Sequence, residues 1–81
     1  MRPISELINK IRWDGREKPE EYTLFYLDRV TKEHKALRFQ DIKRVEGNFI
    51  ITDKDGEETN IPLHRMRYVK RGEKIVWQRQ P

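Results

Sequence analysis

His64, Arg65 and Arg67 stand in one short run, Ile61-Pro62-Leu63-His64-Arg65-Met66-Arg67-Tyr68. An arginine guanidinium is a planar fork of donors that matches two phosphate oxygens, and a neighbouring histidine donates or accepts as its protonation shifts near neutral pH. The combination suits the holding of a phosphate group. A second assignment stays open, in which His64 bonds a backbone carbonyl and the arginines are solvated strand residues. Trp13, Tyr68 and Trp77 add rings that can stack on an unpaired base while neighbouring cations hold the backbone. Most aromatics in small domains fill the core, so about two of these three are expected to be structural. Asp14 and Asp28, beside Arg12 and Arg29, can orient an arginine or accept a ribose hydroxyl. They can equally form exposed ion pairs that contribute little.

Other chemistries find less support. Metal-free RNA cleavage needs one group to take the 2′-hydroxyl proton and another to protonate the leaving oxygen. His34 and His64 are the only histidines, far apart in sequence, and neither is followed two places on by the hydroxyl residue of two-histidine phosphoesterases. No cluster has metal-ligand spacing, and no phosphate-cradling glycine loop or nucleophile elbow occurs. Asp53-Lys54-Asp55-Gly56-Glu57 lacks the spacing and terminal glutamate of a calcium loop and reads as a hairpin turn. No catalytic residue, cofactor or metal is assigned.

Charge gives the run a context. Of 18 lysines and arginines and 14 acids in the 81 residues, positions 61 to 81 hold Arg65, Arg67, Lys70, Arg71, Lys74 and Arg79 against Glu73 alone, a net of +5. The first sixty residues hold the other twelve bases and thirteen acids, a net of −1. A localised excess says more about partners than a high pI does. The chain has no cysteine, which removes disulfides and thiolate chemistry and fits a reducing compartment. The longest uninterrupted apolar run is Leu24-Phe25-Tyr26-Leu27, far short of a membrane span, and the start lacks a secretory signal's apolar stretch. A cytoplasmic protein is expected, folded over residues 1–81 as one domain with a thin core.

The elements that must position these residues follow from local pattern. Ile4, Leu7, Ile8 and Ile11 make one helical stripe, with Pro3 suited to the first turn and Gly15 able to end it. Tyr22 to Arg29 reads as a strand with Tyr22, Leu24 and Tyr26 on one face and Phe25 and Leu27 on the other. Val30 to Glu33 is a hairpin loop, followed by a returning strand through Leu37 and Phe39. Asp41 can cap a helical turn through Val45. Asn48 to Thr52 and Glu57 to Ile61 pair about the Asp53–Gly56 turn, and Pro62 interrupts the ladder because it has no NH to donate. Met66 to Lys70 and Lys74 to Arg79 close a final hairpin around Arg71-Gly72-Glu73. The fold class is α+β, an N-terminal amphipathic helix packed on a mainly antiparallel sheet of about six strands in three hairpins.

Ile11-Arg12-Trp13-Asp14, Tyr26-Leu27-Asp28-Arg29, Ile61 to Tyr68 and Val76-Trp77-Gln78-Arg79, in that order, resemble an archaeal uncharacterised-protein family also named the RNA cyclic group end recognition domain. The resemblance spans nearly the whole chain. It implies recognition of RNA ends bearing a cyclic phosphate, in RNA repair, ligation or processing. It also implies roles at Trp13, Asp14, Tyr26, Asp28, Arg29, His64, Arg65, Arg67, Tyr68, Trp77 and Arg79. Met66 replaces a more usual isoleucine, and Gln78 stands where an acid is common, which removes any acidic role beside Trp77. The favoured reading is a non-catalytic RNA-binding module. His64, Arg65, Arg67, Arg29 and Arg79 would engage phosphate or RNA, Trp13, Tyr26, Tyr68 and Trp77 would stack or shape the site, and Asp14 and Asp28 would orient. The alternatives are a cyclic phosphodiesterase or ribonuclease acting on RNA ends, general nucleic-acid binding, and a protein-interaction module in an RNA-processing complex.

Overall fold

The computed structural model describes residues 3–54 and 56–79. Asp55, expected in the turn after Asp53, lies outside them. Helix α1, Ile4–Trp13, follows Pro3 and buries Ile4, Leu7, Ile8 and Ile11, as the stripe requires. Its end comes earlier than Gly15. Asp14 adopts an extended backbone while its NH still bonds the Lys10 carbonyl at 2.9 Å, and its carboxylate accepts the Arg16 NH at 2.9 Å. This local side-chain bond offers the backbone an alternative to another helical turn.

Seven strands follow: β1 (Tyr22–Leu27), β2 (His34–Arg38), β3 (Ile42–Glu46), β4 (Phe49–Lys54), β5 (Glu57–Pro62), β6 (Met66–Arg71) and β7 (Lys74–Gln78). They form two sheets, a four-stranded one in the order β2-β1-β6-β7 and a three-stranded meander β3-β4-β5, with every pairing antiparallel. Three short 3-10 turns, Pro19–Glu21, Phe39–Asp41 and Leu63–Arg65, lead into β1, β3 and β6. Pro62 closes β5 at the end of the ladder, opposite Phe49.

Strand β3 corrects the helical turn expected from Asp41 to Val45 and brings the count to seven. Ile42 and Val45 are three apart, which reads as helical spacing. Ile42 pairs with Thr52, Arg44 with Ile51 and Val45 with Ile50, so the register slips by one residue at Lys43. A bulge of this kind turns an i, i+3 pair inward from a strand, and both residues pack on the core.

One apolar cluster joins the helix stripe to Tyr22, Leu24, Leu37, Met66, Val69 and Trp77 of the larger sheet and Ile50 and Ile61 of the smaller. Leu24, Ile50 and Met66 have no exposed surface. Truncating such a side chain to alanine costs about 2–5 kcal/mol, a large part of the stability of so small a fold. The two sheets are thus tied through shared burial. No helix among the described residues is long and apolar enough to cross a membrane.

Candidate functional site

Where β1 ends, Asp28 organises the loop that follows. Its Oδ1 accepts the Val30 and Thr31 NH groups at 2.8 and 2.9 Å, and its Oδ2 meets the Lys35 ammonium at 3.0 Å. The Lys32 NH donates to the Asp28 carbonyl, and the Asp28 NH to the Glu33 carbonyl. The Thr31 NH above all, then Lys35 and the Val30 NH, hold the Asp28 carboxyl down at about 2. The loop forces Lys32 to a left-handed φ of 60°, a conformation that disfavours any residue with a Cβ.

The facing wall is the Leu63–Arg65 turn. Its shape depends on Arg79, whose Nε donates to the Met66 carbonyl at 2.8 Å and whose NH2 group donates to the Leu63 carbonyl at 3.0 Å. Arg67 donates to the His64 carbonyl at 3.0 Å, and the Leu63 NH reaches the Asn48 carbonyl at 2.8 Å. Arg67 is also the extra residue of a bulge. Phe25 pairs with Tyr68 and Tyr26 with Met66, so Arg67 has no partner across the ladder. Bulges redirect side chains in this way.

Loop and turn enclose an open cavity of about 400 Å³, lined by Leu27, Asp28, Arg29, Lys32, His64, Arg65 and Arg67. A neighbouring groove shares Asp28, Arg29 and Arg65 with it and continues past Tyr26 to Thr59, Asn60, Ile61 and Pro62. The cavity wall carries four cations and one acid. The acid is engaged by loop amides and Lys35. Among the described residues, no acid pairs with Arg29, Lys32 or Arg65. Unpaired guanidinium and ammonium groups around a concavity form a receptor for an anion with several acceptor oxygens. No group of three or more metal-ligating side chains converges among the described residues.

The other residues singled out by sequence are distributed differently. Asp28, Arg29, His64, Arg65 and Arg67 meet at the cavity, and Tyr26 lines the adjoining groove but not the cavity. Arg79 lies behind the turn with its guanidinium occupied by backbone carbonyls and stacked 5.5 Å from the Trp77 ring. Trp77 is a core residue. Tyr68 lies on the opposite sheet face from the helix, stacked on Phe25. Trp13 is 76% exposed at the end of α1 under the Arg12 guanidinium, and neither it nor Asp14 lines the cavity. Asp14 pairs with Arg16 rather than Arg12, and Arg16, mainly through its side-chain hydrogen bond, lowers the Asp14 carboxyl. Lys32 and Leu27 were not singled out by sequence reasoning. The clue to Lys32 is the Asp28-Arg29-Val30-Thr31 spacing, in which an aspartate can bond the amides two and three residues on.

Comparison with known proteins supplies the family. The model of the MJ1316 RNA cyclic group end recognition domain matches residues 1–79. The UPF0248 protein LS215_2790 of Saccharolobus islandicus is 35% identical over 79 residues, covering 94% of this chain and 98% of its own. The UPF0248 protein SSO2687 of Saccharolobus solfataricus is 34% identical, covering 94% and 95%. The UPF0248 protein MmarC7_1289 of Methanococcus maripaludis is 38% identical over 64 residues, 78% of each chain. No solved structure matches. A family model that runs from the helix to the last strand, with archaeal relatives of nearly the same length, shows that this chain belongs to the MJ1316 RNA cyclic group end recognition domain family.

Proposed function

We propose that the cavity between the 28–33 loop and the Leu63–Arg65 turn binds the terminal phosphate of an RNA strand, and that the protein is a non-catalytic recognition module acting in RNA repair, ligation or processing. The observation that carries this reading is the set of unpaired cations, Arg29, Lys32 and Arg65, around one concavity. The family description supplies the ligand class. His64 and Arg67 complete the wall, and Asp28 and Arg79 hold the two backbone segments that present them. We read residues 1–81 as one domain, supported by the core that the helix and both sheets share. A cysteine-free chain with an RNA ligand fits the cytoplasm.

A cyclic phosphate carries one negative charge and an open monophosphate up to two, so charge alone favours the open form. Preference for the cyclic end therefore requires shape, and Leu27 supplies an apolar wall beside the cations. The test is binding of matched RNAs ending in 2′,3′-cyclic phosphate, 3′-phosphate or hydroxyl. The cyclic end is expected to bind most tightly and to survive prolonged incubation unchanged. Equal affinity for all three overturns end recognition, and conversion of the cyclic end makes the protein a phosphodiesterase instead.

A further inference from the structure

Of the second face of the larger sheet, Leu27 alone of the β1 residues reaches the cavity. The strand register puts Thr23, Phe25 and Leu27 of β1 on one side with Arg38, Ala36 and His34 of β2 and with Lys70 and Tyr68 of β6. Leu24, Leu37, Val69 and Trp77 take the other side, toward the helix. On the outward side Phe25 and Tyr68 stack with ring centroids 4.6 Å apart and planes 15° apart. Both are only half-buried, and His34, Ala36, Arg38, Ile75 and Gln78 around them are exposed. The Lys70 ammonium lies 5.6 Å from the Phe25 ring and 5.9 Å from the Tyr68 ring, and the His34 ring is 5.8 Å from Tyr68. The strands of this sheet contain no aspartate or glutamate.

We propose that this face is a stacking platform for an unpaired nucleobase, in which the Phe25–Tyr68 pair receives the base of the nucleotide whose phosphate occupies the cavity. Rings stacked on one another cover one face of each and leave the outer face of the pair to receive a base, with the Lys70 ammonium beside both rings. Every nucleobase presents a π-face to such a surface, and the cation attracts the adjoining phosphate. Continuity fixes the occupant. Leu27, which lines the cavity, is two residues from Phe25, about 7 Å along the strand, and Arg67, also in the wall, immediately precedes Tyr68. A single nucleotide can span that step. An acid-free sheet face beside an anion receptor is complementary to RNA rather than to an acid-and-base protein surface.

The assignment of the terminal base rests on the cavity holding the terminal phosphate, so the two are tested apart. Binding is measured by fluorescence anisotropy with single-stranded RNA ending in 2′,3′-cyclic phosphate, intact or with the terminal base removed. The protein is used as wild type, F25L/Y68L, F25Y/Y68F and R65A. The wild type is expected to lose roughly tenfold or more in affinity when the terminal base is removed. F25L/Y68L should bind intact RNA as weakly as wild type binds abasic RNA, F25Y/Y68F should retain affinity, and R65A should weaken both ligands alike. Equal wild-type binding of intact and abasic RNA overturns the platform even if the leucine variant does not fold. A base effect that persists when cyclic, open and hydroxyl ends bind equally retains the platform and removes only the end-recognition reading.

Discussion

The two sheets differ in charge as sharply as two separate proteins. Strands β1, β2, β6 and β7 carry Lys35, Arg38, Arg67, Lys70, Arg71 and Lys74 and no acid, whereas β3, β4 and β5 carry Lys43, Arg44 and Lys54 against Glu46, Asp53, Glu57 and Glu58. In the smaller sheet Lys43 and Arg44 meet partners: Lys43 bonds Glu58 at 2.8 Å, and Arg44 reaches Glu46 at 3.2 Å and Glu58 at 3.6 Å. Even in the larger sheet some are paired, Arg71 with Glu21 at 2.8 Å and Arg38 with Asp41 at 3.4 Å. Lys35 pairs with Asp28, whereas Arg67, Lys70 and Lys74 have no acid partner among the described residues, and neither do Arg29, Lys32 and Arg65, which line the cavity. A count of charges along the chain therefore overstates the basic surface, and pairing decides which cations can meet a ligand.

The most severe way to break this contrast is to remove cations from each side. R29A/R65A should lower affinity for phosphate-ended RNA by at least about a hundredfold, since each charged hydrogen bond contributes about 1.5–3 kcal/mol. K43Q/R44Q removes the same charge from the smaller sheet and should change affinity less than about twofold, as paired, exposed cations contribute little. Equal losses in anisotropy titrations would mean that net charge, not the cavity, governs binding. Next in size is R79M. It leaves the Leu63 and Met66 carbonyls without their donor and should destabilise the fold by about 1–3 kcal/mol in urea unfolding, with weaker RNA binding at temperatures where the protein stays folded.

Acid tests the loop on its own. Because the folded Asp28 carboxyl is depressed to about 2 from 3.8, its contribution is fully present above about pH 4 and is lost as pH falls through 2. The Val30 and Thr31 amide resonances should titrate with a midpoint near 2, and a midpoint near 4 would show that Asp28 does not hold the loop. The smallest effect is expected from K32G. Relieving the left-handed backbone should add about 1 kcal/mol of stability while reducing RNA affinity a few-fold, so stability and binding would move in opposite directions.

Much of the scaffold was legible because its signals are local. The Ile4-Leu7-Ile8-Ile11 stripe and the alternation through Tyr22 to Leu27 need no knowledge of neighbours. Strand β3 was hidden because its bulge disguises a strand as a helical spacing, and a bulge is set by the partner strand. At the site, His64, Arg65 and Arg67 announced themselves by type and proximity. Arg29 stands out as the base beside Asp28, but a phosphate-binding role for it comes only through family resemblance, since one arginine at a strand end has no local mark of that role. Lys32 is marked only indirectly, through the aspartate-led turn that holds it, and Arg79 carries a guanidinium whose engagement by backbone carbonyls no local pattern shows. Trp13 shows the converse, an exposed aromatic in a shared motif that does not line the cavity.

The unpaired position of Arg67 also bears on how the chain can change length. Met66 faces the core and Tyr68 the outer surface, although an unbroken strand would place both on one side only with Arg67 opposite them; the bulge is what separates them. Deleting one residue between Pro62 and Tyr68 would regularise the ladder, turning either Met66 outward or Tyr68 inward, and would pull the Leu63–Arg65 turn away from the 28–33 loop. Substitutions in this segment can be absorbed one at a time, but insertions and deletions cannot.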